Sequence, residues 1–204
     1  MSTRRLILLR HGETSYNATN RMQGQLDTEL NVRGLEQAAA VAAVLAERKP
    51  ALVISSDLSR AADTAGLLAD RLGVAVRFDP RLRETHLGEW QSLTHSEVEQ
   101  SWPGGLRRWR GDPQWAPPGG ETRVQVAARG VAVVHELDDE SWLDRPVILV
   151  AHGGLITAVT AALLQLPVTS WAVLGGLGNT RWAELSAGGS HAGWRLDVWN
   201  AGVG

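Results

Sequence analysis

The chain has 204 residues and no cysteine, and 20 Lys and Arg against 22 Asp and Glu give a formal net charge of −2. That charge leaves no electrostatic footprint for nucleic acid or an anionic membrane. The missing cysteines exclude disulfides, thiolate metal sites and cysteine-based phosphatase chemistry. A hydrophobic share of 44% supports a core without staples, and the length suits one domain over residues 1–204, since domains run to ~50–200 residues before a single core stops growing.

Arg4 and Arg5 precede the apolar run Leu6, Ile7, Leu8, Leu9. The run is shorter than the ~7–15 apolar residues of a signal peptide, and no stretch approaches the ~18 of a membrane span. A soluble, cytoplasmic protein is expected. A short run of this kind suits a strand buried on both faces of a parallel sheet. From Asn31 to Arg48, Leu35, Ala38, Ala39, Ala42 and Leu45 recur at helical spacing, with Pro50 closing the segment. Leu52 to Ile54 reads as a second strand. Ser55, Ser56 and Asp57 read as a turn that caps a helix from Leu58 to Leu72, which Gly73 ends, and Val74 to Phe78 reads as a third strand.

Between Leu87 and Gly120 the periodicity fails: Trp90, Trp102, Trp109 and Trp115 are scattered among prolines and glycines. This reads as an irregular insertion covering the site. A helix from Glu121 to about Glu140 follows, then a strand from Pro146 to Val150 and a helix from Leu155 to Leu166 opened by Gly153 and Gly154. Late strands fall at Thr180 to Leu185 and Trp194 to Trp199. The alternation predicts an α/β fold, a three-layer α/β/α sandwich with a mostly parallel central sheet.

In open α/β sheets ligands bind beyond the carboxyl ends of strands. The residues there are Arg10-His11-Gly12, Ser55 to Arg60, and His152-Gly153-Gly154. Two histidines, each behind a buried strand and before a glycine, converge at one rim, where glycine admits close backbone approach to a ligand.

These residues resemble the histidine phosphatase, or phosphoglycerate-mutase-like, superfamily. The pattern is Leu9-Arg10-His11-Gly12-Glu13-Thr14 with Asn17, then Arg21-Met22-Gln23-Gly24, Ser55-Ser56-Asp57-Leu58-Ser59-Arg60-Ala61, Leu82-Arg83-Glu84 with Gly88-Glu89-Trp90, Gly119-Gly120-Glu121-Thr122, and Val150-Ala151-His152-Gly153-Gly154. The ordered set spans most of the chain. It implies a phosphoglycerate-mutase-like fold and a phosphatase with His11 as phosphorylated nucleophile. It also implies an anion clamp from Arg10, Arg60 and His152, with Glu84 as the acid. Asn17, Gln23 and Gly24 match positions that add contacts to the phosphate or its ester. No cofactor and no metal are implied, and permanent arginine charge stands where other phosphoryl-transfer enzymes use Mg²⁺. For Glu84 to carry a proton, burial or a nearby anion such as the substrate phosphate must favour the neutral acid.

Bland readings stand beside these. Arg10 and Arg60 read alone are surface ion pairs, and Glu84, among Arg81, Arg83 and Glu89, has a solvated carboxylate as its alternative reading. His86, His95, His135 and His191 carry no motif and read as surface residues or as supports behind the site. The tryptophans wall a sugar pocket, fill a core or form a subunit interface. Arg107, Arg108 and Arg110 receive a substrate carboxylate or form a solvated basic run.

Three further runs, Arg21 to Leu30, Leu82 to Gly88 and Trp194 to Asn200, narrow the resemblance to members that dephosphorylate a sugar ester of phosphoglycerate, and imply a homodimer with a small-molecule phosphate ester as its partner. Ser92 departs from that pattern, because related sequences commonly carry glycine there. The rivals are a cofactor-dependent phosphoglycerate mutase, a broad-specificity phosphatase and, in another class, a noncatalytic phosphate-ester sensor.

Overall fold

The computed structural model describes residues 4–137, 142, 145–188 and 191–203. Its centre is β1 (Arg4–Arg10), paired in parallel with β4 (Val147–Ala151), itself parallel to β2 (Leu52–Ser55). A two-residue β3 (Arg77–Phe78) closes that edge in parallel. On the other side β5 (Trp182–Gly188) and β6 (His191–Ala201) add antiparallel pairings, giving the order β3-β2-β4-β1-β5-β6. The sheet is therefore mixed, parallel from the β3 edge to β1 and antiparallel from β1 to the β6 edge.

Residues of β1 point alternately to two apolar layers, which is why its run is continuously hydrophobic. Ile7 and Leu9 pack with Val53, Ile148 and Val150 against α2 (Val32–Ala46) and α3 (Ser59–Leu72). Leu6 and Leu8 pack with Leu149 against α6 (Arg123–His135) and α7 (Gly153–Leu163). Helices on both faces make the expected α/β/α sandwich.

Several boundaries differ from expectation for identifiable reasons. The third strand keeps only its last two residues, and Phe78 is 53% exposed at the sheet edge. Leu35, assigned by periodicity to the core face of α2, is 47% exposed, while Val41 takes the buried position. α3 is not capped by the Ser55 to Asp57 turn. Its first amide, Ser59 N–H, donates to Asp27 Oδ1 at 2.8 Å, while Asp57 pairs with Arg83. α6 begins at a Thr122–Gln125 capping box and ends at His135, and 138–140 of the longer expected helix lie outside the described residues.

The segment expected to be irregular holds α4 (His95–Ser101) and α5 (Gly105–Gly111). Each spans only seven residues. α5 starts and ends on glycine, so neither shows a helical period, although the capping box of Thr94 and Glu97 marks the start of α4. A short N-terminal helix, α1 (Ser15–Ala18), precedes them in the chain, and α4 and α5 contribute Val98 and Leu106 to a separate apolar cluster with Met22, Leu87 and Trp90. Trp90 is its fully buried centre, with the rings of Trp102, Trp109 and Trp115 at 6.2, 6.0 and 5.5 Å.

Candidate active site

Parallel register brings the three strand ends together. Arg10 pairs with Ala151 and Ser55 with Val150, so His11, Ser56 and His152 emerge at one rim, where α3 and α7 add Arg60 and Gly154. Arg10, His11, Asn17, Gln23, Gly24, Arg60 and Glu84 line a cavity of about 390 Å³ there. That volume falls within the ~300–1,000 Å³ of small-molecule sites. His152 stands behind this wall, with its ring 5.1 Å from that of His11.

His11 is buried, and its Nδ1 lies 2.6 Å from the Gly12 carbonyl oxygen. A carbonyl only accepts, so Nδ1 carries the hydrogen and Nε2 keeps its lone pair. Burial, then the charges of Arg10 and Arg60, hold the His11 pKa well below the ordinary histidine value. The ring is therefore neutral, as a nucleophile requires.

His152 Nε2 lies 2.9 Å from Ser56 Oγ, which also accepts the Leu58 N–H at 3.3 Å. The serine hydroxyl is then free to donate to Nε2, which assigns the imidazole proton to Nδ1. Burial, followed by Arg60, His11 and Arg10, keeps this histidine neutral as well.

The arginines are held by carbonyl groups rather than by carboxylates. Arg60 Nη1 and Nη2 donate to Leu26 O and Gly24 O at 2.8 Å each, and Arg10 Nη1 donates to Leu177 O. Neither is a surface ion pair. Desolvation lowers the Arg60 pKa to about 10, which leaves it charged at neutral pH. Arg10 Nε, Arg60 Nε and His152 Nδ1 are all buried without an acceptor in the protein. An unmatched buried donor costs about 1–3 kcal/mol, and of these three residues Arg10 and Arg60 line the cavity while His152 lies behind its wall.

Glu84 is half-buried against the first turn of α7 and is not a solvated carboxylate. Its Oε1 accepts from Thr85 N–H at 2.7 Å and Leu155 N–H at 3.1 Å, and its Oε2 from Gly154 N–H at 3.0 Å. A Cβ on Gly154 would lie 2.5 Å from Glu84 Oε1, and one on Gly12 would lie 2.4 Å from Gly34 O. These glycines thus admit neighbouring protein groups, and Gly154 also lines the cavity.

Thr14 anchors both candidate amides. Asn17 Oδ1 accepts from Thr14 N–H at 3.2 Å, and Gln23 Oε1 accepts from Thr14 Oγ1 at 2.9 Å and Thr28 Oγ1 at 2.7 Å. With the oxygens engaged, the NH₂ ends remain for the cavity.

Other supports carried no motif. Asn179 Nδ2 donates to His11 O, Gly12 O and Asn17 Oδ1 at 3.1–3.2 Å. Arg129 donates to the carbonyls of Arg81, Arg83 and Glu84 at 2.6–2.8 Å, fixing the backbone that carries Glu84. Its signal was legible: Arg129 falls three residues after Val126 and four before Val133, on the apolar face of α6, where an arginine needs partners. Tyr16, Arg21, His95 and Trp109 line the outer cavity, so His95 is no ordinary surface residue. Arg107, Arg108 and Arg110 do not line it. Arg108 stacks on Trp115 at 5.3 Å, and the Arg110 carbonyl accepts from Arg123. Among the described residues no group of three or more His, Asp or Glu side chains is placed to hold a metal, and no helix is long and apolar enough to cross a membrane.

A neutral buried histidine beneath two guanidinium groups, at the rim of a parallel sheet, defines a protein that holds a phosphate-like anion against an imidazole. The chain belongs to the histidine phosphatase superfamily (branch 1), whose model matches residues 6–202. It is 57% identical to a glucosyl-3-phosphoglycerate phosphatase of Mycolicibacterium vanbaalenii, over 98% of this chain and 96% of that one, and 56% identical to that of Mycobacterium tuberculosis with the same coverage. A solved mycobacterial glucosyl-3-phosphoglycerate phosphatase in complex with VO3 superposes with a TM-score of 0.92 at 57% identity, over 97% of this chain and 99% of that one.

Proposed function

We propose that the protein is a phosphoric monoester hydrolase that works through a phosphohistidine on His11, with glucosyl-3-phosphoglycerate as substrate and glucosylglycerate and phosphate as products. The observation that carries the chemistry is the set of three unmatched buried donors around a neutral His11. The relatives' names support the substrate.

His11 Nε2 attacks phosphorus while Arg10, Arg60 and His152 take the nonbridging oxygens, where charge is stabilised in the transition state. The ester P–O bond breaks and the leaving oxygen takes a proton from Glu84. Water then attacks the phosphohistidine, gives its proton to the Glu84 carboxylate and releases phosphate. Asn17, Gln23 and Gly24 bind the phosphate or its ester. No metal or cofactor enters any step.

The same reading takes 1–204 as one histidine phosphatase domain with 87–120 as its cover, and the protein as a cytoplasmic homodimer. The domain rests on the 6–202 match, the other two on the sequence resemblance. His11→Ala should lower phosphate release from glucosyl-3-phosphoglycerate by more than about 10³-fold. Undiminished release would overturn the mechanism. Rapid isomerisation of 3-phosphoglycerate with little free phosphate would favour a mutase.

A further inference from the structure

The phosphate cradle occupies only the floor of the cavity. The outer half is walled by Tyr16, Arg21, His95 and Trp109, none of which the hydrolytic steps use. One strained residue organises it. Ser92 has φ of 75°, in the left-handed region that residues with a Cβ seldom adopt. All its polar groups are engaged there: its N–H donates to Met22 O at 2.7 Å, its carbonyl accepts from Arg21 Nη1 at 2.8 Å, and its Oγ lies 3.3 Å from the Tyr16 hydroxyl. The turn therefore fixes two cavity-lining side chains at once.

Charge decides what Arg21 can receive. Its Nη1 pairs with Glu97 Oε2 at 3.6 Å, an oxygen that also accepts the Thr94 N–H and hydroxyl at 2.7 and 2.9 Å, while Glu97 itself does not line the cavity. The only carboxylate lining the cavity is Glu84, on the floor. Arg21 is also 41% exposed, within reach of an incoming ligand. Once a phosphate has engaged Arg10 and Arg60, Arg21 is the remaining guanidinium on the cavity wall, beside a phenol, an imidazole and an indole.

We propose that Arg21, held by the Ser92 turn together with Tyr16, is the specificity-determining residue that binds a carboxylate on the alcohol part of the phosphate ester. This rests on the phosphatase reading and deepens it. The substrate class is thereby a phosphorylated hydroxy acid, and a plain alkyl phosphate lacks the group that Arg21 recognises.

The test compares Arg21→Ala and Arg21→Lys with the unsubstituted enzyme on 3-phosphoglycerate, on glycerol 3-phosphate, which lacks the carboxylate, and on p-nitrophenyl phosphate. Arg21→Ala should lower kcat/KM for 3-phosphoglycerate about tenfold or more, mainly through KM, the size of one charge-assisted hydrogen bond. The other two esters should change less than about twofold on the same scale, and Arg21→Lys should restore part of the loss. Equal losses on all three esters, or none on 3-phosphoglycerate, would overturn the assignment of Arg21 and leave the phosphatase intact. Failure of the unsubstituted enzyme to release phosphate from any ester would overturn the phosphatase reading and this one with it.

Discussion

The floor of the site and its cover are built differently. The floor hangs from strand ends inside the main core, where Leu6, Leu8, Leu9 and Val150 are fully buried and each strand delivers a reacting group. The cover rests on its own small cluster around Trp90, joined by two seven-residue helices and the Ser92 turn. In the proposed function the phosphoryl chemistry sits on the first, and recognition of the rest of the ester is proposed for the second. A rigid sheet tolerates little displacement of His11, whereas a separate small cluster is free to vary its wall without disturbing the cradle.

The floor gives the largest expected effect. Glu84→Gln should slow hydrolysis of glucosyl-3-phosphoglycerate by about 10²–10⁴-fold, the usual contribution of a positioned acid. p-Nitrophenyl phosphate, whose leaving group needs no proton, should be cleaved far faster than the sugar ester by the same variant. Equal slowing of both would show that Glu84 shapes the floor rather than protonating the leaving group.

Trp90→Ala tests the separateness of the cover. Emptying a fully buried tryptophan site costs about 3–5 kcal/mol. Amide exchange should rise first across α4 and α5 while β1 and β4 keep their protection. Simultaneous loss of protection in the sheet would mean that the two clusters form one cooperative unit.

The buried histidines make the floor sensitive to acid. His11 and His152 have folded pKa values well below the unfolded value, so below about pH 6.5 the unfolded chain binds more protons and stability falls with falling pH. Each contributes up to about 1.4 kcal/mol per pH unit. Denaturation curves from pH 7 to 5 should show that slope, and His152→Asn should remove about half of it. A slope unchanged in that variant would assign the pH dependence elsewhere.

The smallest effect belongs to the cover. Ser92→Gly relieves a left-handed backbone at the expense of one hydroxyl contact, and should raise the unfolding free energy by about 1 kcal/mol. A lowered melting temperature would mean that the Tyr16 contact outweighs the strain.

Legibility followed the same division. Short apolar runs marked β1, β2 and β4, and the residues just beyond them, Arg10, His11, Arg60 and His152, proved to converge. The motif positions Asn17, Gln23 and Gly24 also reached the cavity. What escaped depends on tertiary contact without periodicity. Asn179 lies in the turn before β5, after a glycine-rich stretch, and reaches His11 O because β5 pairs with β1. α4 and α5 are too short to show a helical period, so His95 looked unplaced and Arg107, Arg108 and Arg110 looked equally eligible for the cavity.

The central claim is the covalent intermediate, and rapid acid-free quenching of the enzyme mixed with ³²P-labelled glucosyl-3-phosphoglycerate tests it most directly. A transient, alkali-stable and acid-labile label that maps to His11 and is lost in His11→Ala is expected. Turnover without such a label, or a label on another residue, would contradict it.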